Sequence, residues 1–217
     1  YCTNIFFQNA INYITASQKA GKPFFIYLPT NTPHHPLNAL DEDIKAMEKA
    51  FEKSDVAKDK PALRKDLILY MAMIRNIDSN IGSLRAFLKK SKLDQNTIII
   101  FLTDNGSTYG YQYYNAGMRG SKTQLWEGGH RVPFFISYPD GGFTKPRDVK
   151  GLVEAQDILP TLIDLCSLQT ARKKDFDGIS VVPQLRKNVD APDDRMLVIN
   201  YSHMPMGFDY PSPYSIS

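Results

Sequence analysis

The chain has 217 residues, 42% of them hydrophobic and 23% charged, the composition of an ordinary globular protein of one or at most two domains. A formal net charge of +3, with no dense Lys/Arg block interleaved with aromatics, argues against a nucleic-acid partner. No apolar run approaches the roughly 18 residues of a membrane helix, so no membrane span is expected; "FFIYL" and "IIIFL" have strand length.

The opening "YCTNIFFQNAINYI" reads as an amphipathic helix over about 3–20, with Ile5, Phe6, Ala10, Ile11, Tyr13 and Ile14 near helical spacing. Gly21 and Pro23 end it. "FFIYLP" follows as a short, apolar strand, and "TNTPHHPLNAL" as a loop with two histidines. A surface helix is expected over about 38–60, on a thin stripe of Ile44, Met47 and Phe51. The strongest helix covers about 62–90, where Leu67, Tyr70, Met71, Ile74, Ile77, Ile81, Leu84 and Leu88 recur at three- and four-residue steps. Lys89 and Lys90 suit the negative end of its dipole.

A buried strand, 97–102, then runs into "TDNGS", and a Gly- and Tyr-rich loop spans 106–130. "RVPFFISYP" is a further strand, a helix begins near Asp157 with that carboxylate as its cap, and "MLVINYS" is expected as a strand near 196–202. No internal repeat is visible. The two cysteines stand in neither a Cys-x-x-Cys nor a zinc spacing, so Cys166 is expected as a buried apolar thiol, Cys2 as incidental, with a single bridge left open. Both ends read as cut from a longer protein, since the first helix is already under way and "DYPSPYSIS" closes no element.

Apolar strands without alternation, separated by helices, point to an α/β fold with a sheet covered on both faces. Ligands of such sheets gather beyond the carboxyl ends of the strands. The polar groups delivered there, or in the loop before the next strand, are His34, His35, Asp104, Asn105, Arg119, Lys122, Glu127, His130 and Arg131. Asp104 and Asn105 offer hard oxygens suited to Ca²⁺ or Mg²⁺, yet "DNG" is also a common turn, and Ca²⁺ wants about 6–8 oxygens. Lys122 is an anion ligand or a solvated lysine. His34 is a proton donor, an anion ligand or a loop histidine with one hydrogen bond, and His35 is its equal on chemistry alone. Arg131 is expected to pair with Glu127 or another carboxylate, and Trp126 to pack.

Five segments in order, "KPFFIYLPTNTPHHPL", "RNIDSNIGSLRAFLKKSKLDQNTIIIFLTDNG", "MRGSKTQLWEGGHRVPFFISYP", "DILPTLIDLCS" and "DFDGISVVPQL", resemble the sulfatase family within the alkaline-phosphatase-like superfamily. The resemblance implies an alkaline-phosphatase-like α/β sandwich with a mostly parallel or mixed central sheet and helices on both faces. Residues 1–217 would form part of its catalytic domain, most of the C-terminal subdomain lying outside them. Asp104 and Asn105 would be two calcium ligands, with Ca²⁺ preferred over Mg²⁺. Lys122 would contact the sulfate, and His34 would hydrogen-bond it and assist the leaving group. Arg119, Glu127 and Arg131 would support the site structurally. Ser121 and Thr123 flank Lys122 where many relatives carry glycine.

The family's nucleophile is a formylglycine made from Cys or Ser in a Cys/Ser-x-Pro/Ala-x-Arg motif. Cys2 precedes "TNIF", Cys166 precedes "SLQT", and no serine fits. Nor does an early strand carry the paired aspartates that complete the family's calcium site. The resemblance therefore implies part of a calcium-dependent hydrolase of aryl or carbohydrate sulfate esters, partnered by the rest of its catalytic domain. Periplasmic, secreted or lysosomal relatives supply the only hint of compartment. Two other readings are a phosphoester or phosphonate hydrolase of the same superfamily, and a non-catalytic protein that binds sulfated glycans.

Overall fold

The computed structural model describes residues 1–169, 175–187 and 195–199. The chain divides into two units, and each is built around its own contacts. The first comprises Tyr1–Asp94, Thr103–Lys122 and Trp126–Val132.

Helix α1, Cys2–Lys19, buries Thr3, Phe7, Ala10, Ile14 and Ser17, a stripe at alternating steps of four and three. The helix is where periodicity puts it, but its inner face is turned from the expected one. Ile5 and Tyr13 stay more than half exposed, while two hydroxyls lie inside. Buried Thr3 Oγ1 meets Thr32 Oγ1 at 3.0 Å, which accounts for the polar start of the stripe. Residues 24–29, expected as a strand, carry no regular structure and form no ladder among the described residues. An isolated segment cannot satisfy its own N–H and C=O groups as a strand does. Phe25 and Tyr27 are accordingly 75% and 80% exposed, and the segment lines an open groove with Phe6, Ala10 and Tyr13 of α1.

Helix α2, Asp41–Phe51, is shorter than expected, and places Asp41, Glu42 and Asp43 in its first turn where the dipole favours acids. Asp43 is 2% exposed and is held by Arg75 and by Asn76 Nδ2, the latter at 3.2 Å. Helix α3, Pro61–Lys90, starts on a proline that needs no N–H partner there. Leu67, Ala72, Met73 and Leu88 are buried on it, and both α1 and α2 pack against it. Full burial of a leucine such as Leu67 contributes about 1.5–3 kcal/mol. The last helix of this unit is the single turn α4, Glu127–His130.

The second unit comprises Gln95–Leu102, Thr123–Leu125 and Pro133–Ser217. Strand β1, Ile99–Leu102, pairs antiparallel with β2, Phe134–Ser137, in the register Ile99 with Ser137 and Leu102 with Phe134. These two strands are the only sheet among the described residues. The expectation of a fully buried strand over 97–102 is corrected here. Phe101 and Phe135 face each other at 6.3 Å between centroids, yet remain 36% and 64% exposed, because a two-stranded ribbon cannot cover both its faces.

A 3-10 turn, Ala155–Asp157, leads into α5, Ile158–Leu165. Asp157 does not cap α5 as expected. Its carboxylate accepts the Glu154 N–H at 2.9 Å and the Ile179 N–H at 2.8 Å, and pairs with Arg195 at 2.7 Å. Burial alone would push this carboxyl up. The Arg195 guanidinium and the two backbone N–H groups outweigh burial and hold it below its ordinary value. Cys166 follows α5 and is exposed, not buried, and both cysteines are free thiols. Helix α6 is Val182–Lys187. Of the expected strand over 196–202, residues 196–199 carry no regular structure and the rest fall outside the described residues.

Candidate active site

Every candidate residue of the strand-end loops falls in the first unit, and glycines account for how closely three of the loops meet. β1 delivers the chain to Thr103, Asp104 and Asn105, after which Gly106 donates its N–H to the Gly129 carbonyl at 2.9 Å. A Cβ on Gly106 would lie 1.8 Å from the Gly128 carbonyl oxygen. Gly128 in turn donates to the Arg119 carbonyl at 2.8 Å, and a Cβ there would lie 2.2 Å from the Gly120 carbonyl oxygen. The "DNG", "EGG" and "RGSK" segments therefore touch backbone to backbone, where side chains would keep them apart.

Asn115 fixes the third segment from inside, donating through Nδ2 to the carbonyls of Met118 and Gly120 at 2.7 and 2.9 Å. Gly120 turns the chain at φ +82° before Lys122, whose N–H lies 3.4 Å from the Ser107 carbonyl oxygen. Thr123 follows at φ +73°, a left-handed conformation that a β-branched residue rarely adopts. The glycine-to-threonine departure beside the lysine thus sits at a position whose backbone favours glycine.

The histidine loop joins the same group of segments. Thr32 ties it to α1, and Tyr109 Oη, two residues beyond Ser107, lies 3.5 Å from His35 Nδ1. Tyr109 is braced against Tyr70 of α3 at 5.9 Å between ring centroids. His34 is exposed, and its Nδ1 lies 2.8 Å from the His35 carbonyl oxygen. A carbonyl only accepts, so Nδ1 carries the proton and Nε2 is left for a ligand.

Asp104 is exposed and Asn105 half-buried, and neither side chain has a partner among the described residues. The same holds for the half-buried Lys122. Their donor chemistry fits a hard cation and an oxyanion. Yet no cluster of three or more His, Cys, Asp or Glu able to hold a metal occurs among the described residues, so two oxygens fall short of the roughly 6–8 that Ca²⁺ takes. Arg131 lies 3.4 Å from Glu127, both well exposed. Arg119 stacks its guanidinium 3.5 Å above the Trp126 ring, and Trp126 is 48% exposed. His130 keeps Nδ1 buried without a partner. The glycine contacts, the Tyr109–His35 approach and the Arg119–Trp126 stack were not read from sequence. The doubled glycine of "EGG" was the one available signal for the first.

The family model described as Sulfatase matches residues 1–168. The chain belongs to the sulfatase family. Members of this family are sulfuric ester hydrolases. The chain is 27% identical over 206 residues to an uncharacterized sulfatase, YdeN, of Escherichia coli K12, covering 94% of this chain and 34% of that protein. It is 30% identical over 213 residues to an ulvan-active sulfatase of Formosa agariphila, covering 95% of this chain and 40% of that one. The crystal structure of Ps i-CgsB in complex with a neocarrahexaose superimposes with a TM-score of 0.70 at 30% identity, over 88% of this chain and 39% of that one. The chain thus spans between a third and two-fifths of the length of these relatives. Its fold is the alkaline-phosphatase-like α/β fold of its structural neighbours, small and partial.

Proposed function

We propose that this chain supplies the cation-, lysine- and histidine-bearing part of a calcium-dependent sulfatase that hydrolyses sulfate esters of carbohydrates. The observation that carries the reading is the backbone contact of Gly106, Gly128 and Gly120, which joins the Asp104–Asn105 turn to the Lys122 loop. A sulfated polysaccharide as substrate class is supported by the relative named for ulvan and by the neighbour solved with a neocarrahexaose.

Sulfate-ester cleavage moves negative charge onto the sulfuryl oxygens and the leaving oxygen. Asp104 and Asn105 would hold Ca²⁺, with further oxygens from outside this chain, and the ion when bound would supply fixed positive charge to those oxygens. Lys122 would place its ammonium against a sulfuryl oxygen. Its backbone N–H at the Ser107 carbonyl and the Gly120 turn limit how far the loop that carries it drifts. His34 would donate from Nε2. Because Nδ1–H is engaged by the His35 carbonyl, donation from Nε2 requires the imidazolium. Such a proton donor at the leaving oxygen is worth about 10²–10⁴ in rate.

The nucleophile, a formylglycine by family pattern, would come from residues other than these 217, since no Cys or Ser among them stands in the required motif. Turnover of a chromogenic aryl sulfate is the test. The complete enzyme should hydrolyse it and residues 1–217 alone should not; hydrolysis by residues 1–217 would overturn the placement of the nucleophile.

A further inference from the structure

Arg119 and Trp126 form a feature that neither the lysine nor the calcium-ligand roles use. The guanidinium lies 3.5 Å from the indole centroid, and both residues are exposed. A guanidinium on an aromatic face is covered on that face while its N–H donors project from its edge. Among the described residues those donors meet no carboxylate and no carbonyl. The nearest carboxylate in sequence on this loop, Glu127, is taken by Arg131 at 3.4 Å.

The position of the pair is held from behind. The Arg119 carbonyl accepts the Gly128 N–H at 2.8 Å, and the adjoining Gly120 carbonyl accepts Asn115 Nδ2 at 2.9 Å. Lys122 is three residues further on, so its Cα lies within about 10 Å of that of Arg119. Two cations with no anionic partner among the described residues thus stand on one anchored loop.

We infer that Arg119, oriented by Trp126, is a specificity-determining residue that binds a second anionic group, a sulfate or a carboxylate, on the sugar next to the one bearing the scissile sulfate. This inference rests on the sulfatase reading and narrows its substrate class to polyanionic glycans. The indole acts as a positioning group: it holds the guanidinium edge outward and displaces water from one face.

The test uses the complete enzyme with three substrates: a disulfated disaccharide, a monosulfated disaccharide carrying a uronate, and a monosulfated aryl ester. Arg119→Gln should lower kcat/KM for one or both dianionic sugars by about 10- to 100-fold, mainly through KM, the loss expected of one charge-assisted contact. The aryl ester, which carries no second anion, should lose markedly less than either dianionic sugar. Arg119→Lys should recover part of the loss, and Trp126→Ala should show a smaller loss of the same pattern. Equal effects on all three substrates, or no effect on any, would overturn the inference. Should the wild-type enzyme cleave none of them, the sulfatase reading fails separately. Calorimetry with the disulfated disaccharide then decides: roughly tenfold weaker binding by Arg119→Gln supports the subsite, and unchanged binding overturns it.

Discussion

Gly106 and Gly128 meet so closely that a Cβ on Gly106 would sit 1.8 Å from the carbonyl oxygen of Gly128. Nothing flexible separates them, since both sides of the contact are backbone. Gly106→Ala should therefore separate the Asp104–Asn105 turn from the Lys122 loop and destabilise the protein by about 3 kcal/mol, the upper range for forced overpacking. Gly82 is the internal control. It lies in the middle of α3 with open space around it, so Gly82→Ala should stabilise by about 1 kcal/mol through helix propensity. Urea unfolding of the two variants distinguishes a glycine required by contact from one that is not. Similar midpoints for both would contradict the contact.

Thr123 stands at φ +73°, next to Lys122. A β-branched residue there costs of order 1–3 kcal/mol, of which glycine would recover all but its own chain entropy of about 0.5–1 kcal/mol. Thr123→Gly should raise stability by about 1 kcal/mol, and Thr123→Val should not. Thermal unfolding reads both, and a Thr123→Gly protein less stable than wild type would count against a strained loop.

The Asp157–Arg195 pair fixes the sign of one pH dependence. Asp157 is 1% exposed and its carboxyl is held below its ordinary value, so its ionised form stabilises the folded state. That contribution is complete above the ordinary value of 3.8 and is lost as the pH falls below it. Arg195→Ala leaves a buried carboxylate without its cation and should cost about 3–5 kcal/mol at pH 7. Folding free energy measured from pH 7 down to pH 3 should fall less steeply in Arg195→Ala than in wild type; parallel curves would contradict the pair's role.

The helices were legible because a 3.6-residue period survives in a single sequence, and α1 and α3 begin and end within a residue or so of the expected 3–20 and 62–90. Which face turned inward was less legible. Thr3 is buried through a partner far along the chain, Thr32, and Asp43 through Arg75 and Asn76, and no local pattern encodes such partners. Residues 24–29 were legible as apolar, but the strand expected of them needs a partner beside it and does not form among the described residues. At the site, Asp104, Asn105, Lys122 and His34 were legible as motif residues. What joins them was not: backbone contacts between distant glycines leave only the bare "DNG", "EGG" and "RG" letters behind. Asp157 was expected to cap α5 with its carboxylate, but that carboxylate accepts the N–H groups of Glu154 and of Ile179, a residue far along the chain.

Asp104 and Asn105, with no partner for either side chain among the described residues, predict a calcium response. In the complete enzyme, Ca²⁺ at about 100 times its Kd should stabilise the fold by about 2.7 kcal/mol, read as a rise in Tm. Asp104→Ala should abolish most of that rise together with activity. A Tm shift on calcium addition that is unchanged in Asp104→Ala would remove this residue from the cation site.

The sulfate-contacting role of Lys122 is tested most directly by kcat/KM of Lys122→Ala in the complete enzyme, measured on a sulfated oligosaccharide with the fold checked by circular dichroism. A contact to the charged sulfuryl oxygens predicts a fall of about 10²–10³, the loss typical of one oxyanion donor at roughly 2.7–4 kcal/mol. A folded Lys122→Ala enzyme with unchanged kcat/KM would contradict it.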